Sequence, residues 1–472
     1  MIKDLRAYLD YLDSKSRLAR INDEVKTELE ITAMTDTANR ARKYDSKTLM
    51  FSKVDGYDMP VVTNLFGSIN TLSELLGSFS ISDTVLGILH PKQSSGTSAM
   101  LKGAKALIDS KPKVEGFSAR GYEKLGGLDE LPILKSWPKD AGRFITLPMV
   151  VTRSYEDDSL NAGVYRMQVF DNKTTGMHWQ AQKGGALHAY EAAKRGKALD
   201  VSVAIGSDPF NVLAAATPLP QGINEFAFAG MTRGSRTLLV KNGDYPPVPA
   251  NSEIIINGYV EPDERRVEGP FGDHTGYYSI PEPANVFHIK EIYAKKNAVY
   301  SASVVGFPWN EDAVIGLFMM QYLKPMVSMV NDSIIDIYLP PEGLFTDVCF
   351  IKVKKRFPGE AKKAMFSVLG LGQLSFVKMV VAFDDDIDIT DLGRVLWAMA
   401  TRVEPERDVQ VIKGAPTDTL DHTANLAAYG SKMLIDATKK TRGEGYNRDW
   451  PDTLSMPKDV MDSAVSRWEK LK

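Results

Sequence analysis

Cysteine is nearly absent from this chain, and so are long apolar runs and an excess of charge of either sign. Cys349 is the only cysteine in 472 residues, which excludes a disulfide framework and a cysteine-rich metal site. No apolar run approaches the roughly 18 residues of a membrane helix, and the first residues lack the uncharged core of a signal peptide. The net charge of -3 argues against a nucleic-acid-binding protein, which normally carries a basic excess. We therefore expect a cytoplasmic protein without a nucleic-acid partner.

What is present is the composition of an ordinary globular protein, with 43% hydrophobic and 25% charged residues. A chain of this length has room for two or three domains. The alternation of helical and strand patterns predicts an N-terminal α/β domain over residues 1–110 and a strand-rich, barrel-like domain over 111–315. A second α/β domain is predicted over 316–445 and a helical tail over 446–472.

Individual elements follow from the spacing of apolar residues and from the turn-forming residues between them. Helices are predicted at 2–12, 28–43, 71–77, 83–90, 210–216, 225–231, 359–369, 391–401 and 457–471. Strands are predicted at 48–51, 60–66, 144–152, 163–170, 176–180, 201–206, 237–241, 253–261, in two runs over 286–305, and at 334–339, 347–354, 376–383 and 408–413. Residues 171–175 are predicted to form the turn of a hairpin.

The segment 268–278, E-G-P-F-G-D-H-T-G-Y-Y, is the part of the sequence most informative about function. Glu268 and Asp273 are five residues apart, a spacing that neither a regular helix nor a strand brings onto one face. The glycines and proline between them allow a tight reversal that could aim both acids into one cavity. Two adjacent carboxylates commonly give one acid with a raised pKa and one that stays ionised, as acid/base catalysis requires. The alternative is a turn whose acids are solvated.

Other candidate residues are dispersed along the chain. Arg166 lies in an otherwise apolar strand and needs an anionic partner if it is buried, although exposure on one sheet face is equally open. Asn161, His178 and Glu225 together offer oxygen and nitrogen donors that suit Mn²⁺ or Mg²⁺ better than Zn²⁺. Lys183 and Gly184, with Gly185, offer a cation and exposed backbone N–H groups, which suit a phosphate. Lys378, within the predicted strand 376–383, is a second candidate for a buried cation.

Taken together, these segments resemble the UbiD family of decarboxylases, which use prenylated flavin mononucleotide (prenyl-FMN). The resemblance covers nearly the whole chain and includes N-x-G-x-Y-R at 161–166, K-G-G-A at 183–186 and E-F-A-F-A-G at 225–230. The segment 268–278 is its most diagnostic motif. The chain looks like the quinone-pathway members over most of its length. It has His178, however, where those members tend to have arginine and the ferulate-type members have histidine, so the substrate is left open.

The resemblance assigns roles to individual residues. It implies that Arg166, Glu268 and Asp273 are catalytic, and we expect Asp273 to be the proton donor. It implies that Asn161, His178 and Glu225 bind a divalent ion, Mn²⁺ or Mg²⁺, next to the flavin phosphate, with K⁺ nearby. The residues implied to contact the cofactor are Val164, Tyr165, Arg166, His178, Trp179, Gln180, Lys183, Gly184 and Lys378.

The resemblance also implies the architecture and the reaction. The central domain is expected to be a split β-barrel that binds the flavin, and the C-terminal domain to build a homo-oligomer, a dimer or a hexamer. The expected reaction is non-oxidative decarboxylation of an aromatic acid, with a 4-hydroxybenzoate-type substrate favoured, polyprenylated or not, and other aryl, heteroaryl or α,β-unsaturated acids as the runner-up. A flavin prenyltransferase would supply the cofactor, and peripheral membrane association is expected only for a prenylated substrate. Two other classes remain, a non-catalytic flavin-binding protein and a two-carboxylate glycosidase.

Overall fold

The computed structural model describes residues 2–77, 108–179, 184–219 and 222–471, without the side chain of residue 322. Its helices are α1 (Leu5–Ser14), α2 (Glu30–Ala41), α3 (Ile69–Leu76), α4 (Gly184–Lys194), α5 (Pro209–Ala216), α6 (Glu225–Arg233), α7 (Glu311–Val330), α8 (Glu360–Leu369), α9 (Leu392–Arg402), α10 (Pro405–Asp408) and α11 (Lys458–Glu469). The predicted helix at 83–90 lies outside the described residues. The other predicted helices correspond to helices in the structure.

The N-terminal region is a small mixed sheet covered by helices. Its strands are β1 (Leu18–Val25), β2 (Thr48–Val54) and β3 (Val61–Thr63), and β1 was not predicted because its polar residues hide the alternation. The sheet order is β1-β2-β3-β16, where β16 (Tyr300–Ala302) comes from much later in the chain. Helix α1 begins at the N-cap Asp4, whose side chain accepts a hydrogen bond from the backbone of Ala7. Because β16 completes this sheet, the N-terminal and central regions share one hydrophobic core.

The central region is built on a seven-stranded antiparallel sheet. Its strands are β5 (Tyr122–Leu125), β7 (Met149–Arg153), β8 (Leu160–Val164), β10 (Thr174–Met177), β11 (Leu199–Ile205), β14 (Ile254–Glu268) and β15 (Glu282–Lys295), in the order β10-β15-β14-β11-β7-β8 with β5 also paired to β15. Strands β8 and β10 stand at the two ends of this order, and among the described residues they do not pair with each other. The sheet is therefore not a closed barrel, and a split barrel stays a prediction. Short strands complete the region: β4 (Lys113–Gly116), β6 (Phe144–Ile145), β9 (Met167–Gln168), β12 (Leu238–Lys241) and β13 (Val248–Pro249).

The predicted turn at 171–175 is present, but its flanking strands pair differently from a simple hairpin. Asp171 accepts hydrogen bonds from the backbone of Lys173 and from the hydroxyl of Thr174, which closes the turn. Val169 and Thr175 form one bridge across it. Instead of continuing into one long strand, the chain before the turn divides into β8, which pairs with β7, and β9, which pairs with β6. Arg166 lies at this division.

The C-terminal region is the predicted α/β domain, with three elements that were missed: one strand, the helix α7 and the short helix α10. Its strands are β17 (Ile334–Tyr338), β18 (Val348–Val353), β19 (Met379–Asp384), β20 (Val409–Pro416) and β21 (Tyr429–Asp436), in the order β17-β18-β19-β21-β20. Strand β21 was not predicted, yet it lies between β19 and β20. Helix α7 was also missed, because it is apolar over most of its length and has no clear 3.6-residue period.

No single helix in the described ranges is long and apolar enough to cross a membrane; the halves of α7, Glu311–Gln321 and Leu323–Val330, pass such a test only together and are bent by 43°. The tail helix α11 has no buried residue. The four sets of domain boundaries drawn from the sequence stay predictions.

Candidate active site

The loop that follows β14 is held in place by contacts with Gln168 and Trp137. Glu268 ends β14 and is fully buried, and Gly269, at φ +90°, opens the reversal with a cis peptide bond to Pro270. The backbone N–H of Gly269 donates to Gln168 Oε1 at 2.8 Å. Gly272 packs so closely on Trp137 that a Cβ at this position would lie 2.1 Å from its ring. The loop therefore has the tight reversal that its glycines and proline predict.

Arg166 connects the two acids of this loop. Its guanidinium donates to both oxygens of Glu268, from Nε at 2.9 Å and from Nη2 at 3.0 Å, and its Nη1 donates to Asp273 Oδ2. The Arg166 side chain is 11% exposed, and its guanidinium lies 4.8 Å above the ring of Phe271. The sequence left exposure and burial equally open, and the structure decides for burial. Arg166, Glu268 and Asp273, which are dispersed over more than a hundred positions, form one network.

The electrostatics of this network differ from the sequence expectation. Burial would raise the pKa of Glu268, but hydrogen bonds from His178 and Arg166 lower it below its ordinary value. Burial is likewise outweighed at Asp273, where His274 and Arg166 hold the pKa well below its usual range. Both acids are therefore ionised at neutral pH. The expectation of one raised and one ordinary pKa was wrong because a histidine beside each carboxylate, His178 or His274, and the guanidinium between the two stabilise both charges.

His178 takes part in the same network. Its Nδ1 lies 3.3 Å from Glu268 Oε2, and its Nε2 lies 3.8 Å from Glu282 Oε1. Its Nδ1 also lies 3.5 Å from Nη2 of Arg166. The imidazole thus connects the catalytic loop with β15.

Asn161 and Glu225 lie in a separate cavity of about 2010 Å³, which is also lined by Val164, Tyr165 and Gly184. Glu225 is the first residue of α6, and its Oε2 accepts from the backbone of Ala162 at 3.3 Å. No cation among the described residues pairs with Glu225, and burial raises its pKa to about 7. Asn161 and Val164 of β8 and Glu225 at the start of α6 therefore line the same cavity.

This cavity fits a phosphate-bearing group held through a cation. Gly184 approaches Asn161 so closely that a Cβ would lie 2.1 Å from Asn161 Oδ1, so the first turn of α4 leaves room only for a backbone N–H at this point. The described residues contain no cluster of three or more histidine, cysteine, aspartate or glutamate side chains that could hold a metal ion. A divalent ion at Glu225 would therefore need amide and phosphate oxygens among its ligands. Asn161 offers the former and a flavin phosphate would offer the latter.

The remaining cofactor candidates are placed in three different ways. Tyr165 is buried, and its hydroxyl accepts from Asn161 Nδ2 and from the backbone of Gly185, both at 3.4 Å. Trp179 packs on Gly185, where a Cβ would lie 2.8 Å from the indole Nε1, and that nitrogen has no hydrogen-bond partner among the described residues. Gln180 and Lys183 lie outside the described residues.

Lys378 precedes β19 instead of lying inside a strand. Its Nζ donates to Asp421 Oδ1 at 2.9 Å and to the hydroxyl of Thr423, so its charge is neutralised within the C-terminal region. The expectation of a strand-interior lysine was wrong because β19 begins only at Met379. The cavity wall reaches residue 376 of the same segment. Contact between Lys378 and a cofactor stays a prediction.

Two functional residues of the site received no role from the sequence. His274 belongs to the 268–278 motif and contacts Asp273, and Ser279 lies just beyond it, with its hydroxyl 3.4 Å from Arg166 Nη2. The position of His274 directly after Asp273 was the only signal in the sequence for its role. Ser279 gave no signal, because a serine after two tyrosines is not distinctive.

Comparison with known proteins places the whole chain in one family. Three family models match: the N-terminal domain of 3-octaprenyl-4-hydroxybenzoate carboxy-lyase over residues 9–85, its Rift-related domain over 113–308 and its C-terminal domain over 313–437. An uncharacterised protein of Archaeoglobus fulgidus is 45% identical over 100% of this chain and 98% of its own length. One from Aquifex aeolicus is 38% identical over 99% of this chain and 98% of its own. The resemblance found in the motifs is confirmed.

Solved structures agree with these matches. Vanillic acid decarboxylase of Sedimentibacter hydroxybenzoicus in its closed form gives a TM-score of 0.85 at 28% identity, covering 100% of this chain and 99% of that one. Its open form gives 0.78 at 27% identity with both chains covered in full. The UbiD-class enzyme HmfF of Pelotomaculum thermopropionicum, in complex with FMN, gives 0.79 at 26% identity over 98% of this chain and 99% of that one. The TM-score is thus higher for the closed form of that enzyme than for its open form.

Proposed function

This chain belongs to the UbiD family of carboxy-lyases, and from that premise we propose that it performs the non-oxidative, prenyl-FMN-dependent decarboxylation of a 4-hydroxybenzoate-type acid. The observation that carries the proposal is the buried network of Arg166 with Glu268 and Asp273. Burying three charged side chains costs desolvation free energy, and a protein that only stored a flavin would gain nothing from it. The full-length similarity to a vanillic acid decarboxylase supports an aromatic acid with a 4-hydroxyl group.

The chemistry explains why a cofactor is needed. Loss of CO₂ from a ring carbon leaves an electron pair in the ring plane, where no π system accepts it and no side chain can stabilise it. When bound, prenyl-FMN supplies the electron sink. The residues of this chain then have three tasks: orienting the substrate carboxylate, excluding water and delivering a proton to the ring carbon. We assign proton delivery to Asp273, with Arg166 and Glu268 fixing its position.

The cofactor phosphate is best held in the cavity at Asn161 and Glu225. Two anionic groups, the Glu225 carboxylate and a phosphate, would repel each other without a cation between them. A Mn²⁺ or Mg²⁺ ion bound by Asn161 and Glu225, and by His178 in the proposed ligand set, would remove that repulsion, with K⁺ as a second cation. The cofactor contacts proposed from the sequence at Val164, Tyr165, Trp179, Gln180, Lys183, Gly184 and Lys378 belong to the same assignment.

Assembly and supply complete the proposal. Exposed apolar side chains on α11, among them Val460, Val465 and Trp468, favour a homo-oligomer in which the tail is covered by another subunit. A flavin prenyltransferase would supply the modified flavin. Peripheral contact with a membrane would be expected only for a polyprenylated substrate.

The test is co-expression with a flavin prenyltransferase, followed by measurement of CO₂ release from a panel of acids. The panel contains 4-hydroxybenzoate, vanillate, a 3-prenylated 4-hydroxybenzoate, furan-2-carboxylate and cinnamate. We expect CO₂ from at least one 4-hydroxybenzoate-type acid, and none from protein loaded with plain FMN, which should bind but lacks the modified ring. CO₂ release from furan-2-carboxylate or cinnamate alone would contradict a 4-hydroxybenzoate-type substrate and indicate a heteroaryl or α,β-unsaturated acid instead. No release from any acid, with prenyl-FMN bound, would contradict decarboxylation.

A further inference from the structure

His274 is joined to the carboxylate of Asp273 by two contacts. Its backbone N–H donates to Asp273 Oδ1 at 2.8 Å, and its ring Nδ1 lies 3.0 Å from the same oxygen. The other oxygen, Oδ2, accepts from Arg166. Asp273 is therefore placed between a guanidinium, which cannot give up a proton at physiological pH, and an imidazole, which can.

The C-terminal region closes over the other side of this imidazole. The ring of Phe345 lies 5.2 Å from the His274 ring, centroid to centroid, and the His274 side chain is only 17% exposed. Asp312, in the first turn of α7, and Asp418, in the loop after β20, interact electrostatically with His274. Oδ2 of Asp312 is buried and has no hydrogen-bond partner among the described residues. His274 thus has one carboxylate on its own loop and two from the neighbouring region.

These charges decide where the proton resides at rest. Burial lowers the pKa of His274, but the hydrogen bond and charge of Asp273, with Asp312 and Asp418, raise it to about 9. The pKa of Asp273 is held well below its usual range. The pKa of Asp312 is raised to about 7 by burial. At neutral pH the proton of the pair is therefore on the imidazole, and the carboxylate that must deliver a proton does not carry one.

Each turnover of the proposed reaction consumes one proton, because CO₂ is replaced by hydrogen. Building on the proposed function, we propose that His274 is the proton reservoir of the site: it passes its Nδ1 proton to Asp273 and is recharged from solvent, to which its side chain is 17% exposed. In this role His274 acts through Asp273 and does not touch the substrate. Asp312 is a positioning residue that holds the positive charge of the imidazole from the C-terminal region.

The transfer balances without any additional reactant. The N–H bond of His274 breaks with its electron pair left on Nδ1, and an O–H bond forms on Asp273. That O–H bond then breaks as the proton forms a C–H bond with the electron pair left on the substrate carbon by departing CO₂. Asp273 returns to the carboxylate, and the neutral imidazole takes one proton from solvent. Overall, a carboxylate and a proton give CO₂ and the hydrogen-substituted product.

The first measurement does not depend on activity. The flavin-free protein is labelled with ¹⁵N-histidine, and the six histidines are titrated by NMR, with His274→Gln identifying the relevant resonance. We expect His274 to be an imidazolium at pH 7 and to titrate near pH 9. Asp312→Asn should shift that titration to lower pH, because it removes a negative charge that faces the ring. A neutral His274 at pH 7 would overturn the proposal.

The second measurement uses prenyl-FMN-loaded enzyme and its pH profile. Turnover of the wild type should fall above the pH at which His274 loses its proton. His274→Gln keeps a hydrogen-bond donor but has no transferable proton, so turnover should fall by about 10²–10⁴-fold, as expected for a lost proton-transfer step. The fall of turnover at high pH, the basic limb of the profile, should disappear. Asp312→Asn should move the limb to lower pH. His422→Gln is the matched control, since its ring contacts Thr275 and not Asp273, and it should leave the limb in place.

The outcomes separate the two proposals. Wild-type turnover and an unchanged basic limb in His274→Gln would overturn the reservoir while the decarboxylase assignment stands. Absence of CO₂ release from the wild type with every acid would overturn the proposed function and the reservoir with it. Loss of both the native ¹⁵N spectrum and turnover in His274→Gln would indicate misfolding. In that case Asp312→Asn decides: an unshifted His274 titration and an unshifted limb would contradict the proposal.

Discussion

Two regions of this molecule bury carboxylates and treat them in opposite ways. In the catalytic loop, Glu268 and Asp273 are paired with Arg166, and both have lowered pKa values. In the cavity at Asn161 and at the start of α7, Glu225 and Glu311 have no cation beside them in the described part of the chain, and burial raises each pKa to about 7. Burial is common to the four, so the difference comes from the histidine and arginine side chains beside Glu268 and Asp273.

The two regions differ in whether the chain itself supplies a counter-charge for its buried carboxylates. The catalytic loop carries its own counter-charge and is organised before any ligand binds. Among the described residues no cation neutralises Glu225; a bound metal ion or a proton would do so. Glu311 suits the uptake of a proton. One of its oxygens accepts a hydrogen bond from the backbone of Phe66 at 3.0 Å, and the other is buried without a partner among the described residues.

The largest effect is expected from removing the built-in cation. Arg166→Leu would remove the guanidinium from Glu268 and would leave Asp273 with His274 alone, and breaking a buried pair in this way typically costs about 3–5 kcal/mol. Chemical denaturation should show that loss of unfolding free energy, and no turnover should remain. Arg402→Leu is a control, because Arg402 is also a buried guanidinium paired with two carboxylates, Asp384 and Asp386, but lies in the C-terminal region. A comparable stability loss in both variants, with turnover abolished only in Arg166→Leu, is the expected result. Unaltered stability of Arg166→Leu would contradict the network.

A smaller effect is expected when the network keeps its shape but loses its transferable proton. Asp273→Asn preserves size and hydrogen bonding, so flavin and metal should stay bound while turnover falls by about 10²–10⁴-fold. Incorporation of deuterium from D₂O into the product should fall in parallel, because it requires the same transfer. If protonated product forms at the wild-type rate in single-turnover experiments, Asp273 is not the donor and Glu268 becomes the better candidate.

In the cavity, a charge change should affect binding and leave the catalytic loop intact. Loss of a residue that only supports a metal ligand typically weakens metal binding by about 10–100-fold. Glu225→Gln should weaken it by more than that, because it removes a direct ligand. Flavin absorbance and metal content per chain measure this. Glu191→Gln is the matched control: it makes the same change in the same cavity, but its carboxylate is already bound by Ser154 and Tyr155. Full flavin occupancy in Glu225→Gln would show that the assignment of Glu225 is wrong.

The smallest effect is expected at Glu311 and concerns only the pH dependence of stability. Its pKa is raised on folding, so the folded state binds its proton more tightly than the unfolded state. The stabilisation is complete below the ordinary glutamate pKa and is lost as the pH rises to about 7, with a slope of at most about 1.4 kcal/mol per pH unit. Glu311→Gln should flatten unfolding free energy against pH in this window. An unchanged slope would mean that Glu311 is ionised in the folded protein.

Local patterns predicted most of the fold. Helices α5, α6, α8, α9 and α11 and the turn after Asp171 follow from apolar spacing and turn chemistry, both of which act within a few residues. Strand β21 and helix α7 did not follow, because their conformation is decided by neighbours distant in sequence: β21 lies between β19 and β20, and α7 is apolar on too many sides to show a period. The pairing of β16 with β3 is equally non-local.

For the site, the sequence by itself determined the membership of the family, because it is carried by residue type and order in motifs such as 268–278. It also determined the tight loop after Glu268, since glycine and proline restrict or free the backbone locally. The tertiary structure alone decided that Arg166 lies between the two acids, that His274 faces Asp312, and that Glu225 lacks a cation among the described residues. A pKa depends on charges and solvent within a few ångströms in space, and these are brought together by folding across more than a hundred residues of chain.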